Sequence, residues 1–266
     1  MLATQNGQTF GGSGLSGTNY GRMADRARVL ASHALRVLRV AVREHPAVHD
    51  RQLRFRLGTT YAFGEALVGF NRRTDEPIDL TLTPDLIDVV QGQAISSMPP
   101  APQTDIQRKA DLALRWMERA WLTGDPLIAL LYLFFALEAL LGDASEGQKA
   151  HLLAFRQMTL GHVVANEFTH PNKTWFLYDE VRSGAVHGED VPDLDSDEVQ
   201  QFSWSVRRSL NQFVSLAADH GLQKRGALLK LLDRSPDQAE LISWLRANGG
   251  HIWSKYLDDI SAVPRP

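Results

Sequence analysis

The chain has 266 residues, 44% of them hydrophobic and 22% charged, with a formal net charge of −3 and no cysteine. That length accommodates one large domain or two small ones with a real core, and the charge excludes a global basic field for nucleic acid. The absence of thiols excludes disulfides, thiolate metal sites and a cysteine nucleophile, and the longest apolar run, Pro126 to Leu137, falls short of the roughly 20 residues that span a bilayer.

Residues 1–21 carry Gly7, Gly11, Gly12, Gly14, Gly17 and Gly21 among polar neighbours, the composition of a flexible lead. They lack the basic start and apolar stretch of a signal peptide, so the chain reads as cytoplasmic, with no membrane partner. Residues 22–98 form the next expected unit, a small α+β module. Leu30, Ala34, Val37, Leu38 and Ala41 predict one face of a helix over 23–44. Arg22, Arg26, Arg36, Arg39 and Arg43 cluster opposite, either as a solvated face or as a ridge that tracks phosphates. Leu53, Phe55 and Leu57 alternate with arginines, 59–63 is rich in strand formers, and Ile78, Leu80 and Leu82 alternate with polar residues. Thr83-Pro84 then predicts a short helix to about Val90. The stretch SMPPAPQT, 97–104, is the expected domain boundary.

Beyond it the periodicity is helical. Ile106 to Leu122 is amphipathic, and Gly124-Asp125-Pro126 opens an apolar helix to Leu141. Further helices are expected over 147–164, over 174–187, from an Asp195/Glu198 capping box to His220, over 223–233 and over 236–247. The fold class is therefore mostly α: a helical bundle over 105–250, preceded by the α+β module and followed by a tail, 251–266.

Two segments carry chemistry. In YLFFALEALL, Glu138 is a single carboxylate among apolar neighbours. It lies either on a narrow solvated edge or buried against a cation, for which Arg182 is the first candidate. In LYDEVRSGAVHG, residues 177–188, Arg182 and His187 stand five apart. Arginine neutralises phosphate charge and histidine moves protons near neutral pH, a pairing suited to phosphodiester chemistry. On a regular helix that spacing is about 140°, so either the helix distorts or ends near Gly184, or each residue serves a different half of a composite site. The bland alternative is a surface arginine and a helix-end histidine. His151, His162 and His170 have no carboxylate cluster at ligand spacing, so no metal or other cofactor is expected. Trp175, Tyr178 and Trp204 are candidates for base stacking or for the core. Lys173, Arg207 and Arg208 are candidate cations of an RNA path.

The segments Ala136 to Leu141 and Arg182-Ser183-x-x-Val186-His187-Gly188 together resemble the Apea-like branch of the HEPN ribonuclease superfamily, over roughly residues 105–235. That resemblance implies a HEPN-type bundle and a homodimer in which two Arg-His sets face one cleft. It implies a metal-independent endoribonuclease of a bacterial defence or toxin–antitoxin system, with RNA as substrate and an antitoxin or other protein as partner. Arg182 and His187 would be catalytic, supported by Glu138 and Ser183, the latter hydrogen-bonding the phosphate. The rival readings are a non-catalytic module that binds RNA or nucleotide, and a dimerisation module.

Overall fold

The computed structural model describes residues 17–42, 84–142, 148–192 and 194–262, together with four two-residue strand segments before residue 70. The chain divides into two compact units, Met1–Val90 and Gln91–Pro266. The boundary therefore precedes the expected linker, whose residues belong to the second unit. A short 3-10 turn, Ala94–Ser97, anchors them there, with Asn211 accepting from the Ile95 N–H at 3.3 Å and donating to Gln93 at 3.2 Å.

In the first unit, helix α1 (Gly17–Val42) starts inside the expected lead. Its buried stripe is His33, Val37, Val40 and Ala41, an i, i+4, i+7, i+8 pattern. The expected face is thus only partly right: Val37 and Ala41 are buried, but Leu30 is 44% exposed and Ala34 is also exposed. A polar residue, His33, takes the core position that hydropathy assigned to its neighbours. Of the arginine stripe, Arg26 is exposed while Arg36 and Arg39 are partly covered. Thr4–Gln5 pairs with Gln8–Thr9, and Tyr61–Ala62 with Val68–Gly69, both antiparallel. The strand signals at 53–57 and 78–82 lie outside the described residues. Helix α2 (Pro84–Gln91) opens on Pro84, whose missing N–H costs nothing at a first helical position.

The second unit is a helical bundle. Helix α3 (Asp105–Leu122) starts at a reciprocal cap, in which the Thr104 hydroxyl accepts from the Gln107 N–H and the Gln107 side chain accepts from the Thr104 N–H. Helix α4 (Pro126–Leu141) starts where Asp125 accepts from the N–H groups of Leu127 and Ile128. Being apolar on every side, α4 is the central helix. It packs against α3, α5 (Lys149–Ala165), the segment that carries Arg182, and α8 (Ser196–Asp219).

The motif segment comprises α6 (Asn172–Phe176), a π-helical turn (Leu177–Arg182) and α7 (Ser183–His187). Asp195 caps α8 through the Asp197 N–H rather than through a reciprocal contact with Glu198. Helices α9 (Arg225–Asp233) and α10 (Gln238–Asn248) follow.

The stretch from 251 onward is not a tail. A 3-10 turn, His251–Trp253, leads into α11 (Ser254–Ala262), and Trp253, Tyr256 and Leu257 are buried with Phe155, Met158, Leu241 and Leu245. Among the described residues no helix is long and apolar enough to cross a membrane.

Candidate functional site

Glu138 sits in the last turn of α4, where the helix dipole disfavours a carboxylate. The last turn itself offers no cation, and other helices supply them. Arg182 donates from Nη2 to Glu138 Oε1 at 3.1 Å, the pairing expected from sequence. Arg225 donates to the carbonyls of Glu138 and Ala139 at 3.2 and 3.3 Å. The buried Arg156 guanidinium donates to the Leu141 carbonyl at 3.0 Å and to both carboxylate oxygens of Asp233. Glu138 is neither on a free edge nor sealed: its side chain is 30% exposed and that of Arg182 is 20%.

Tyr178 completes the cluster, and its role is not legible in the sequence. Its hydroxyl donates to the same Glu138 oxygen at 2.8 Å, its ring stands edge-on to Phe134, and the Arg182 guanidinium lies 4.8 Å over its face. Burial, then the hydrogen bond to Glu138 and that residue's charge, push the phenol upward from its ordinary pKa of 10. Tyr178 therefore stays a neutral donor. One carboxylate and one phenol thus hold a guanidinium from two sides, by ion pair and by cation–π contact.

The π-helical turn makes this geometry. Its wider turn brings Arg182 back over Tyr178, four residues earlier, and it ends with the Ser183 N–H bonded to the Tyr178 carbonyl. Helix distortion is thus present, but upstream of the expected place. Gly184 is regular, buried helix, needed for close approach, since a Cβ there would meet Val191 Cγ1 at 2.9 Å. The helix ends at Gly188, in the left-handed region with φ 74°, and the Glu189 N–H bonds the Gly184 carbonyl at 2.9 Å.

The Ser183 hydroxyl donates to the Tyr178 carbonyl at 3.1 Å, so its proton is committed to the backbone rather than to a phosphate. His187 is exposed in the last turn of α7 and is not part of the Glu138–Tyr178–Arg182 cluster. Beside the cluster lies a cavity of about 300 Å³ lined by Glu138, Tyr178, Lys149, Arg225 and Leu152. Neither Arg182 nor His187 lines it.

The candidate RNA-path cations are elsewhere. Lys173 Nζ donates to Gln201 at 2.8 Å, and Arg208 pairs with Glu167 at 3.0 Å. Arg207 is mostly covered; burial, then the neighbouring Arg208 charge, push it down to about 10. His151 is half-buried beside the C-terminal segment. Its Nε2 lies 2.7 Å from the Ile252 carbonyl, among the rings of Trp175, Trp253 and Tyr256. Among the described residues no group of three or more His, Asp or Glu side chains could hold a metal ion.

The fold and site define a mostly helical bundle with a carboxylate–phenol–guanidinium cluster on its central helix. No family model matches the chain, and no curated protein or solved structure matches it either.

Proposed function

We propose that the protein is a metal-independent endoribonuclease of the Apea-like HEPN type, acting in the cytoplasm within a bacterial defence or toxin–antitoxin system. The observation that carries this reading is the Glu138–Arg182 pair, fixed further by Tyr178, which joins the two motif segments in space. Such a clamp pre-orients a guanidinium, which suits stabilisation of charge that develops on a phosphorane. In the proposed reaction His187 takes the 2′-hydroxyl proton and Arg182 stabilises the pentacoordinate phosphate. The P–O5′ bond breaks as the histidine passes that proton to the 5′-oxygen, which leaves as a hydroxyl, and the other product ends in a 2′,3′-cyclic phosphate.

A second reading has its own support. The arginine is already engaged by Glu138 and Tyr178, and His187 stands apart from it, as suits a module that binds RNA or a partner without cleaving. Purified protein incubated with total RNA in EDTA tests the two. Wild-type cleavage that His187→Ala abolishes, with an unchanged melting curve, is the expected result. A helix-end histidine contributes at most about 2 kcal/mol to stability, so the variant folds. Binding without turnover selects the second reading.

A further inference from the structure

Helix α3 turns a stripe of mixed basic and apolar residues outward. Arg108, Lys109, Leu112, Arg115, Trp116 and Arg119 fall within an arc of roughly 120° on the helix. Lys109 and Trp116 are half-buried and the other four are exposed. Helix α4 continues this face. Ile128, Leu131, Tyr132 and Phe135 form the row that the core leaves partly open. Trp116 joins the two rows, stacked on Tyr132 with ring centroids 5.6 Å apart and tilted against Phe135 at 5.1 Å. Leu112, Leu122 and Ile128 are 38%, 51% and 42% exposed, so the face carries aliphatic as well as aromatic surface.

Its charge is one-sided. The neighbouring acids are already engaged: Asp111 is buried and held by Arg115 at 2.6 Å, Asp105 accepts from the Arg225 N–H, and Asp125 caps α4. Arg108, Lys109 and Arg119 have no acidic partner among the described residues, and Arg119 lies 4.6 Å over the Trp116 ring. A complementary partner is therefore anionic and also accepts hydrocarbon. A nucleic acid meets the first demand and offers nothing for Leu112, Leu122 and Ile128. A folded acidic protein needs hydrogen bonds to fix its register, about one per 100–200 Å² of interface, and the α4 row offers only the Tyr132 hydroxyl. A bilayer needs no register. Aliphatic and aromatic bodies enter the boundary of the acyl chains, while lysine and arginine stems snorkel to put their charges among lipid phosphates.

We infer that the α3–α4 face docks peripherally on an anionic lipid bilayer, held by Arg108, Lys109 and Arg119 around Trp116 and Ile128. This departs from the expectation of no membrane partner, which rested on the lack of a spanning or signal segment. Peripheral contact requires neither, since such a face enters only about 5–10 Å of the headgroup boundary. The inference stands whether or not the protein cleaves RNA.

Flotation of the full chain with phosphatidylcholine vesicles, with and without phosphatidylglycerol, tests it. The chain should float with the anionic vesicles, stay in solution with the zwitterionic ones, and be released from the former by high salt. Arg108→Glu/Lys109→Glu reverses charge near the start of α3, and Ile128→Asp removes an exposed apolar group in the first turn of α4. Acids near a helix start suit its dipole, so both variants keep the fold, which melting curves check. Each should lower vesicle partitioning by at least about ten-fold. If one melts early, the other carries the test. No flotation, equal flotation with both vesicle types, or undiminished binding by a folded variant overturns the inference. Retention on polyglutamate or single-stranded RNA without vesicle binding, lost in the same variants, overturns it too and assigns the face to an acidic protein or a nucleic acid.

Discussion

Glu138 is an acid placed at the wrong end of a helix dipole, inside an apolar segment, and its stability depends on what surrounds it. Tyr178 and Arg182 both bond one carboxylate oxygen, so the three side chains form a coupled unit. Glu138→Gln keeps a carbonyl oxygen for both donors but removes the charge. Because the pair is partly exposed, the expected cost is about 1–2 kcal/mol, below that of a fully buried pair. Tyr178→Phe should cost about 1 kcal/mol. Urea denaturation of Glu138→Gln, Arg182→Ala and the double variant should show coupling of at least about 0.5 kcal/mol. Additive effects would dissolve the cluster.

His151 supplies a pH signature at the same scale. Burial lowers its pKa against the raising influence of the Ile252 carbonyl and the Asp179 charge. The unfolded chain then binds a proton that the folded protein resists, so stability falls as pH drops through about 6.5 and levels off below the folded value. Melting curves between about pH 7.5 and 5.5 should shift downward more for the wild type than for His151→Phe. Equal shifts would remove His151 as the cause.

At the scale of elements, the motif helix is held from both ends. Upstream, the Trp253 indole donates to the Asn172 side chain at 2.7 Å, and Asn172 donates to the Gly249 carbonyl. Trp253 is fully buried, so the C-terminal segment supports the start of the helix that carries Arg182. Trp253→Ala should destabilise the protein by about 3–5 kcal/mol in urea, through a cavity and a lost hydrogen bond. A loss near 1 kcal/mol would mean that the segment merely covers the bundle. Downstream, Gly188 turns the chain back so that Val191 packs against Gly184, and Val186 is left 52% exposed on the surface of α7.

At the scale of the whole molecule, neither Arg182 nor His187 lines the cavity beside Glu138 within a single chain. A symmetric homodimer pairing two α7 helices would place two copies of each around one axis. Exposed Phe176 and Val186 on the motif segment give that contact apolar surface. Light scattering should return a mass near twice 29.6 kDa, and Val186→Arg should return the monomer mass and lose RNA cleavage. Full cleavage by a strict monomer at micromolar concentration would refute the composite site.

The central helix, its cap at Asp125, the order of the helices and the Glu138–Arg182 pairing were all legible in the sequence. Each follows from local chemistry: an apolar run must be covered, a cap must follow a turn, and a lone carboxylate in such a run needs a cation. Only the tertiary structure decided the rest. The π-helical turn depends on Tyr178 being held by Phe134 and Glu138, which belong to another helix. Trp253 and Tyr256 look like tail residues until α5 and α10 provide a surface for them. Local pattern records what each segment needs; which distant segment meets that need depends on packing, which no single stretch of sequence encodes.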